Sequence, residues 1–164
     1  MKKVLILIVL FVSTSLFGFD YNSYSEKSIN TVIVDFNKYF NEINKNNPKL
    51  KISNTINPLT PNNVIKFKSK VKFTGKIQKI RTLKKDNIVA WDRITKTEFA
   101  KIYNYEIEID ENNVKYLIPV QDNLLGYFKT EVRKDDIVSI YLILMGNFTA
   151  DYLIVMTEFQ TFEN

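Results

Sequence analysis

The sequence contains no cysteine and no histidine, and it has only four glycines and four prolines. Without cysteine the chain has no disulfides, no thiol nucleophile and no residue for N-terminal lipidation. Without histidine it lacks the commonest general base, and the two absences together remove the commonest zinc ligands. It also has no glycine-rich phosphate loop and no serine-nucleophile motif. We therefore predict a protein that is not an enzyme and that has neither cofactor nor metal.

The N-terminus has the order of parts found in an export signal. Two lysines precede an unbroken run of nine apolar residues, Val4 to Val12, and small polar residues follow. Cleavage after Ser15 fits the preference for small residues, and cleavage after Gly18 is the alternative. An uncleaved anchor helix is a further alternative, but a spanning helix needs about 20 apolar residues. We predict a signal peptide over residues 1–18.

The remaining chain has the size of one domain. The 164 residues less the first 18 leave 146, with 21 basic and 18 acidic side chains. The net charge of +3 is too small to imply a polyanionic partner by itself. The whole chain has twelve Phe and nine Tyr, which is enough apolar surface for a core.

One amphipathic helix is predicted first. Its apolar residues recur at the helical period and form a single stripe. They are Ile29, Val32, Ile33, Phe36, Phe40 and Ile43. Residues 46–63 then hold three prolines and six asparagines, which predicts an irregular connector.

From Val64 onward the period is that of β-strands. Phe67, Val71, Phe73 and Ile77 alternate with lysines, and Gly75 predicts a bulge or bend. Residues 105–120 predict a hairpin that turns at Glu111–Asn113. Residues 82–99 show little periodicity, and a short strand from Ile88 to Trp91 is the interpretation we give them.

The last third of the chain predicts a linking segment and two strands. Leu124 to Thr130 is expected to form a short helix or a turn. Ile137 to Met145 is apolar on both faces apart from Ser139. A strand of that kind is covered on both sides or lies at the centre of a sheet. Tyr152 to Met156 is the last apolar strand.

The element order from about residue 64 to 162 resembles the OB-fold, a five-stranded, partly open barrel. The run from Lys134 to Val138 is similar to the start of the fourth strand in many members, with Asp135 where glycine is usual. The resemblance implies an α+β protein: an N-terminal amphipathic helix packed on a small five- or six-stranded OB-like antiparallel β-barrel. An SH3-like or other small antiparallel barrel is the alternative. The predicted divisions are residues 1–18 (signal peptide), 19–63 (helix and connector) and 64–164 (barrel).

Charge supplies the only candidate site. Nine basic residues and no acidic residue lie between Lys66 and Lys85. One hypothesis is a ligand face of lysines with nearby aromatic rings for stacking. Its residues are Lys66, Lys68, Lys70, Lys72, Lys76, Trp91, Tyr103 and Tyr105. The preferred interpretation is that the lysines pair with Glu106, Glu108 and their neighbours across the sheet, and that Trp91 packs in the core or at the rim of the barrel. A metal site or a hydrolytic carboxylate pair among Glu106, Glu108 and Asp110 lacks the required spacing and apolar pocket.

These observations predict an exported, non-enzymatic binding or interaction domain, either periplasmic or secreted. The expected partner is another envelope protein or an anionic or sugar ligand. Export argues against nucleic acid, and we expect no membrane span after signal cleavage. A structural part of a surface assembly is one alternative. An atypical enzyme that uses Asp, Glu, Lys or Tyr is another.

We predict that the hydrophobic N-terminal segment is removed during export, because its apolar run is short and is followed by small residues. N-terminal sequencing of the exported protein should give a start after Ser15 or after Gly18. A membrane-bound product that begins at Met1 would contradict cleavage, though not export.

Overall fold

The computed structural model describes residues 19–46, 56–148 and 151–162. The predicted signal peptide and residues 47–55 of the connector lie outside them. The described helices are α1 (Ile29–Asn46), α2 (Thr82–Thr95) and α3 (Asp122–Glu131), with 3-10 turns at Tyr21–Ser23 and Phe99–Lys101. The described strands are β1 (Ser25–Glu26), β2 (Ile56–Pro58), β3 (Ile65–Lys79), β4 (Tyr103–Glu111), β5 (Val114–Gln121), β6 (Ile137–Phe148) and β7 (Asp151–Thr161).

Five of these strands form a closed barrel. Strand β3 pairs with β4, β4 with β5, β5 with β7, β7 with β6, and β6 with β3 again. Strands β1 and β2 extend the sheet beside β3 and β6. The α+β class is confirmed, and the closed barrel with helices is consistent with the predicted OB-like barrel. The prediction of a purely antiparallel barrel is wrong, because β5 and β7 run parallel.

The long strand β3 bends as predicted at its glycine. Its first half, up to Lys72, pairs with β6, and its second half pairs with β4. The register shifts between Phe73 and Ile77, and Gly75 lies between them with φ of +88°. Residues with a side chain rarely adopt that backbone conformation. Glycine at this position therefore allows β3 to bend and to pair with both β6 and β4.

Helices occupy both ends of the barrel. At one end Phe128 of α3 is fully buried and meets Phe73 and Phe159 edge to face at 5.0 and 5.1 Å. At the other end, where β5 and β7 begin, Ile29, Val32 and Phe36 of α1 join the same buried cluster. The barrel interior is therefore filled by strand residues and covered by apolar helix residues.

A second apolar layer lies outside the barrel. Residues Ile88 and Trp91 of α2 pack with Phe148 of β6 and with Leu153 and Val155 of β7. The last two strands are thus covered on both faces, which confirms one of the two arrangements predicted for residues 137–145.

The predicted strand from Ile88 to Trp91 is wrong, because these residues lie in α2. The buried positions of α2 do follow the helical period, at Lys84, Asn87, Ile88 and Trp91. Two of those four are polar, so hydrophobicity alone did not reveal the pattern. The segment Leu124–Thr130 is a helix rather than a turn. The predicted hairpin turn is confirmed, with positive φ at Asn112 and Asn113.

We predict that Phe36→Asp unfolds or strongly destabilises the protein, by at least about 3 kcal/mol, because it buries an unpaired carboxylate. Phe36 is 2% exposed, whereas Tyr39 on the same helix is 57% exposed. The control Tyr39→Asp should therefore cost less than about 1 kcal/mol. Thermal or urea melts of the purified protein measure both, and equal losses would show that α1 does not pack on the barrel.

Candidate ligand-binding cleft

The barrel has a cleft where β5 meets β7. These two parallel strands are joined at one residue pair, Val120 and Met156. Before that pair, residues 115–118 of β5 and Asp151, Tyr152 and Ile154 of β7 line a cleft of about 190 Å³, together with Ile33 of α1, Lys84 of α2 and Arg81. We call this space the seam cleft.

One wall of the seam cleft is apolar and aromatic. Its members are Ile33 of α1, Tyr116, Leu117 and Ile118 of β5, and Tyr152 and Ile154 of β7. The Tyr152 hydroxyl donates to Asn37 Oδ1 at 2.9 Å and accepts from Asn37 Nδ2 at 2.7 Å. Helix α1 therefore fixes the position of one cleft tyrosine.

A buried lysine also lines the seam cleft. The side chain of Lys84 is only 5% exposed, and its Nζ lies 2.7 Å from Asp151 Oδ2. The same ammonium donates to the Tyr152 carbonyl at 2.9 Å. Burial lowers the pKa of Lys84, because the charged form loses hydration. The ion pair offsets part of that cost and ties α2 to the start of β7.

A second ion pair lies at the start of α2. Arg81 Nε donates to Glu106 Oε2 at 3.0 Å, and Arg81 Nη2 donates to Oε1 at 3.1 Å. Glu106 is fully buried and also accepts from Gln78. The hydrogen bonds to Glu106 raise the pKa of the Arg81 guanidinium. Arg81 itself lines the seam cleft and is about half exposed.

The third cation of the seam cleft is Lys115 of β5. Its Nζ lies 3.9 Å from Glu108 Oε1, at the limit of an ion pair, and the side chain is largely exposed. Glu108 is closer to Lys76, with 3.3 Å between Oε2 and Nζ. Lys115 is therefore the least firmly paired of the three cleft cations.

The lysines of the predicted ligand face have different partners along β3. Lys66 lies over the Tyr24 ring, Lys68 pairs with Glu26 at 3.4 Å, and Lys70 lies over the Phe162 ring at 4.6 Å. The expected pairing with a β4 carboxylate is seen for Lys76 with Glu108. Lys72 is opposite Asp110 in the ladder. The expectation is wrong for Lys66, Lys68 and Lys70, because the bend at Gly75 places that half of β3 beside β6 and β1.

The predicted aromatic residues do not form one surface. Trp91 is 1% exposed, donates from Nε1 to the Leu59 carbonyl at 2.9 Å and stacks on Phe99. Tyr103 is equally buried, and this burial raises its pKa. Trp91 lies in the core, one of its two predicted positions, and neither ring is available for stacking on a ligand. Tyr105 is half-buried, with Lys129 over its ring.

The seam cleft was missed because its residues are distant in sequence. Lys84 and Asp151 carry no motif, and their contact depends on α2, which the sequence pattern did not reveal. Among the residues that the structure describes, no cluster of three or more acidic side chains is arranged to hold a metal. No helix in the described ranges is long and apolar enough to cross a bilayer. No family model, curated protein or solved structure matches the chain.

We predict that reversing Lys68, Lys70 and Lys72 to glutamate lowers stability modestly, by about 1 kcal/mol or less per position. The loss comes from the Glu26 pair, the Phe162 contact and a new repulsion with Asp110. The measurements are melting temperature and retention on heparin at increasing salt. Reversal of Lys38, Lys45 and Arg93, which are exposed on α1 and α2, is the control with equal net charge.

Retention on heparin should be weak and similar in both triple variants. Strong, salt-sensitive retention of the unmodified protein that only the β3 variant loses would favour the lysine face as a ligand site.

Proposed function

We propose that this chain is an exported, non-enzymatic binding domain whose ligand binds in the seam cleft. The observation that carries the proposal is the position of Lys84. A buried ammonium is costly, and here it lines a cleft with an apolar wall, held by Asp151 and the Tyr152 carbonyl. Apolar walls with a few fixed polar groups are typical of ligand sites.

The fold supports the same location by analogy. OB-folds bind ligands on the face of their second and third strands and the loops beside it. In this chain the corresponding strands are β4 and β5, and the seam cleft lies at the β5 edge of that face. The analogy concerns the place alone, since a fold does not determine a ligand.

Two sequence features support the rest of the proposal. The N-terminal apolar run with its small residues supports export to the periplasm or the medium. The chain has neither histidine nor cysteine, and Glu106, Glu108 and Asp151 are engaged in ion pairs. Binding without chemistry is therefore the function that these groups support best.

We predict that the exported protein is stabilised by at least one class in a thermal-shift panel of neutral sugars, amino acids, carboxylic acids and phosphates. Leu117→Trp fills the seam cleft and should abolish the shift. Val114→Trp is the control, because Val114 lies on the same strand, is 49% exposed and does not line the cleft.

Unliganded melts show whether each variant folds. The proposal is contradicted if no class stabilises the protein, or if the shift survives in folded Leu117→Trp.

A further inference from the structure

The ion pairs around the seam cleft leave one positive charge without a partner of its own. Five cations lie on this part of the sheet and at the start of α2, namely Lys72, Lys76, Arg81, Lys84 and Lys115. Four carboxylates face them, namely Glu106, Glu108, Asp110 and Asp151. Glu106 is matched with Arg81 and Asp151 with Lys84, Glu108 is shared by Lys76 and Lys115, and Asp110 lies opposite both Lys72 and Lys115 in the sheet. Lys115 has the longer of the two contacts with Glu108, at 3.9 Å against 3.3 Å.

The excess charge is beside the apolar wall, not on an isolated surface. Lys115 lines the seam cleft next to Tyr116 and Leu117 on β5, and the same lining includes Ile33 and Ile154. A ligand that satisfies both features has one negative charge and a small apolar body. A polyanion would place further charges beside Asp151, and a sugar would leave hydroxyl groups against the aliphatic residues.

We infer that the seam cleft recognises a small monocarboxylate with an aromatic or branched aliphatic body, and that Lys115 is the residue that selects the charge. This inference rests on the proposed function and adds the class of ligand. The volume of about 190 Å³ matches a ligand of one ring or one short branched chain. Lys84 and Arg81 stay with their own carboxylates and hold the walls in place.

The test compares acids with their neutral amides of equal shape. Benzoate and isovalerate are titrated against benzamide and isovaleramide, and the amide resonances of the ¹⁵N-labelled exported protein are followed. We expect benzoate to shift Tyr116, Leu117 and Tyr152, and to bind at least about tenfold more tightly than benzamide. Raising the salt from about 0.05 to 0.5 M should weaken benzoate binding and leave benzamide unchanged.

Two matched variants test the role of Lys115. Lys115→Gln should reduce the preference for acid over amide to about twofold or less. Lys38→Gln removes one positive charge from an exposed position on α1 and should leave the preference intact. Lys115 is largely exposed, so its loss should not alter folding, and a melt confirms this.

The outcomes separate this inference from the proposed function. Equal binding of acid and amide in the cleft would overturn the charge inference, while Leu117→Trp-sensitive binding would keep the proposed function. An equal effect of the two glutamine variants would also overturn the role of Lys115. Failure of every class in the thermal-shift panel would remove the proposed function, and the inference with it.

Discussion

The structure depends on how the barrel closes between β5 and β7. Every other neighbouring pair of barrel strands is antiparallel and forms a ladder of several residue pairs, whereas this junction has the single pair Val120–Met156. Strands that diverge expose backbone groups and apolar side chains, and something must cover them. Here α1 supplies Ile33 and Asn37 from one side, and Lys84 of α2 and Arg81, which directly precedes α2, cover the other. The candidate binding cleft is the space that remains.

Helix α1 is held at this junction by a carboxylate that is distant in sequence. The Ile29 amide donates to both oxygens of Glu111, at 3.1 and 2.9 Å. Glu111 is buried and also accepts from the Ser69 hydroxyl, so one side chain joins the start of α1, the end of β4 and strand β3. A negative charge at a helix N-terminus satisfies a backbone donor and interacts favourably with the helix dipole. The ring of Phe36 meets Tyr152 edge-on, so the same helix also orders a cleft wall.

Local patterns predicted much of this fold, and long-range contacts account for the rest. A short run of consecutive residues was enough to predict three features: the bend at Gly75, the turn at Asn112 and Asn113, and the doubly covered strand β6. No such pattern predicted helix α2, because Lys84 and Asn87 occupy half of its four buried positions. The parallel junction of β5 with β7 follows from the topology of the closed barrel, so no single segment predicts it. The cleft was missed for the same reason, since its cations pair with carboxylates on other elements. The sequence showed the lysines of β3, but it did not show which residues of other elements contact them.

Amide hydrogen exchange along β5 tests this account most directly. If α1 and α2 cover the junction and no ladder forms there, every second amide between Val114 and Pro119 lacks a strand partner and should exchange rapidly. The alternate amides, which bond to β4, should exchange slowly, so the rates should alternate along the strand. Near Val120, which pairs with Met156 of β7, the alternation of exchange rates should end. Uniformly slow exchange across residues 114–118 would show that β5 and β7 form a continuous ladder. That result would contradict both the open junction and the cleft built on it.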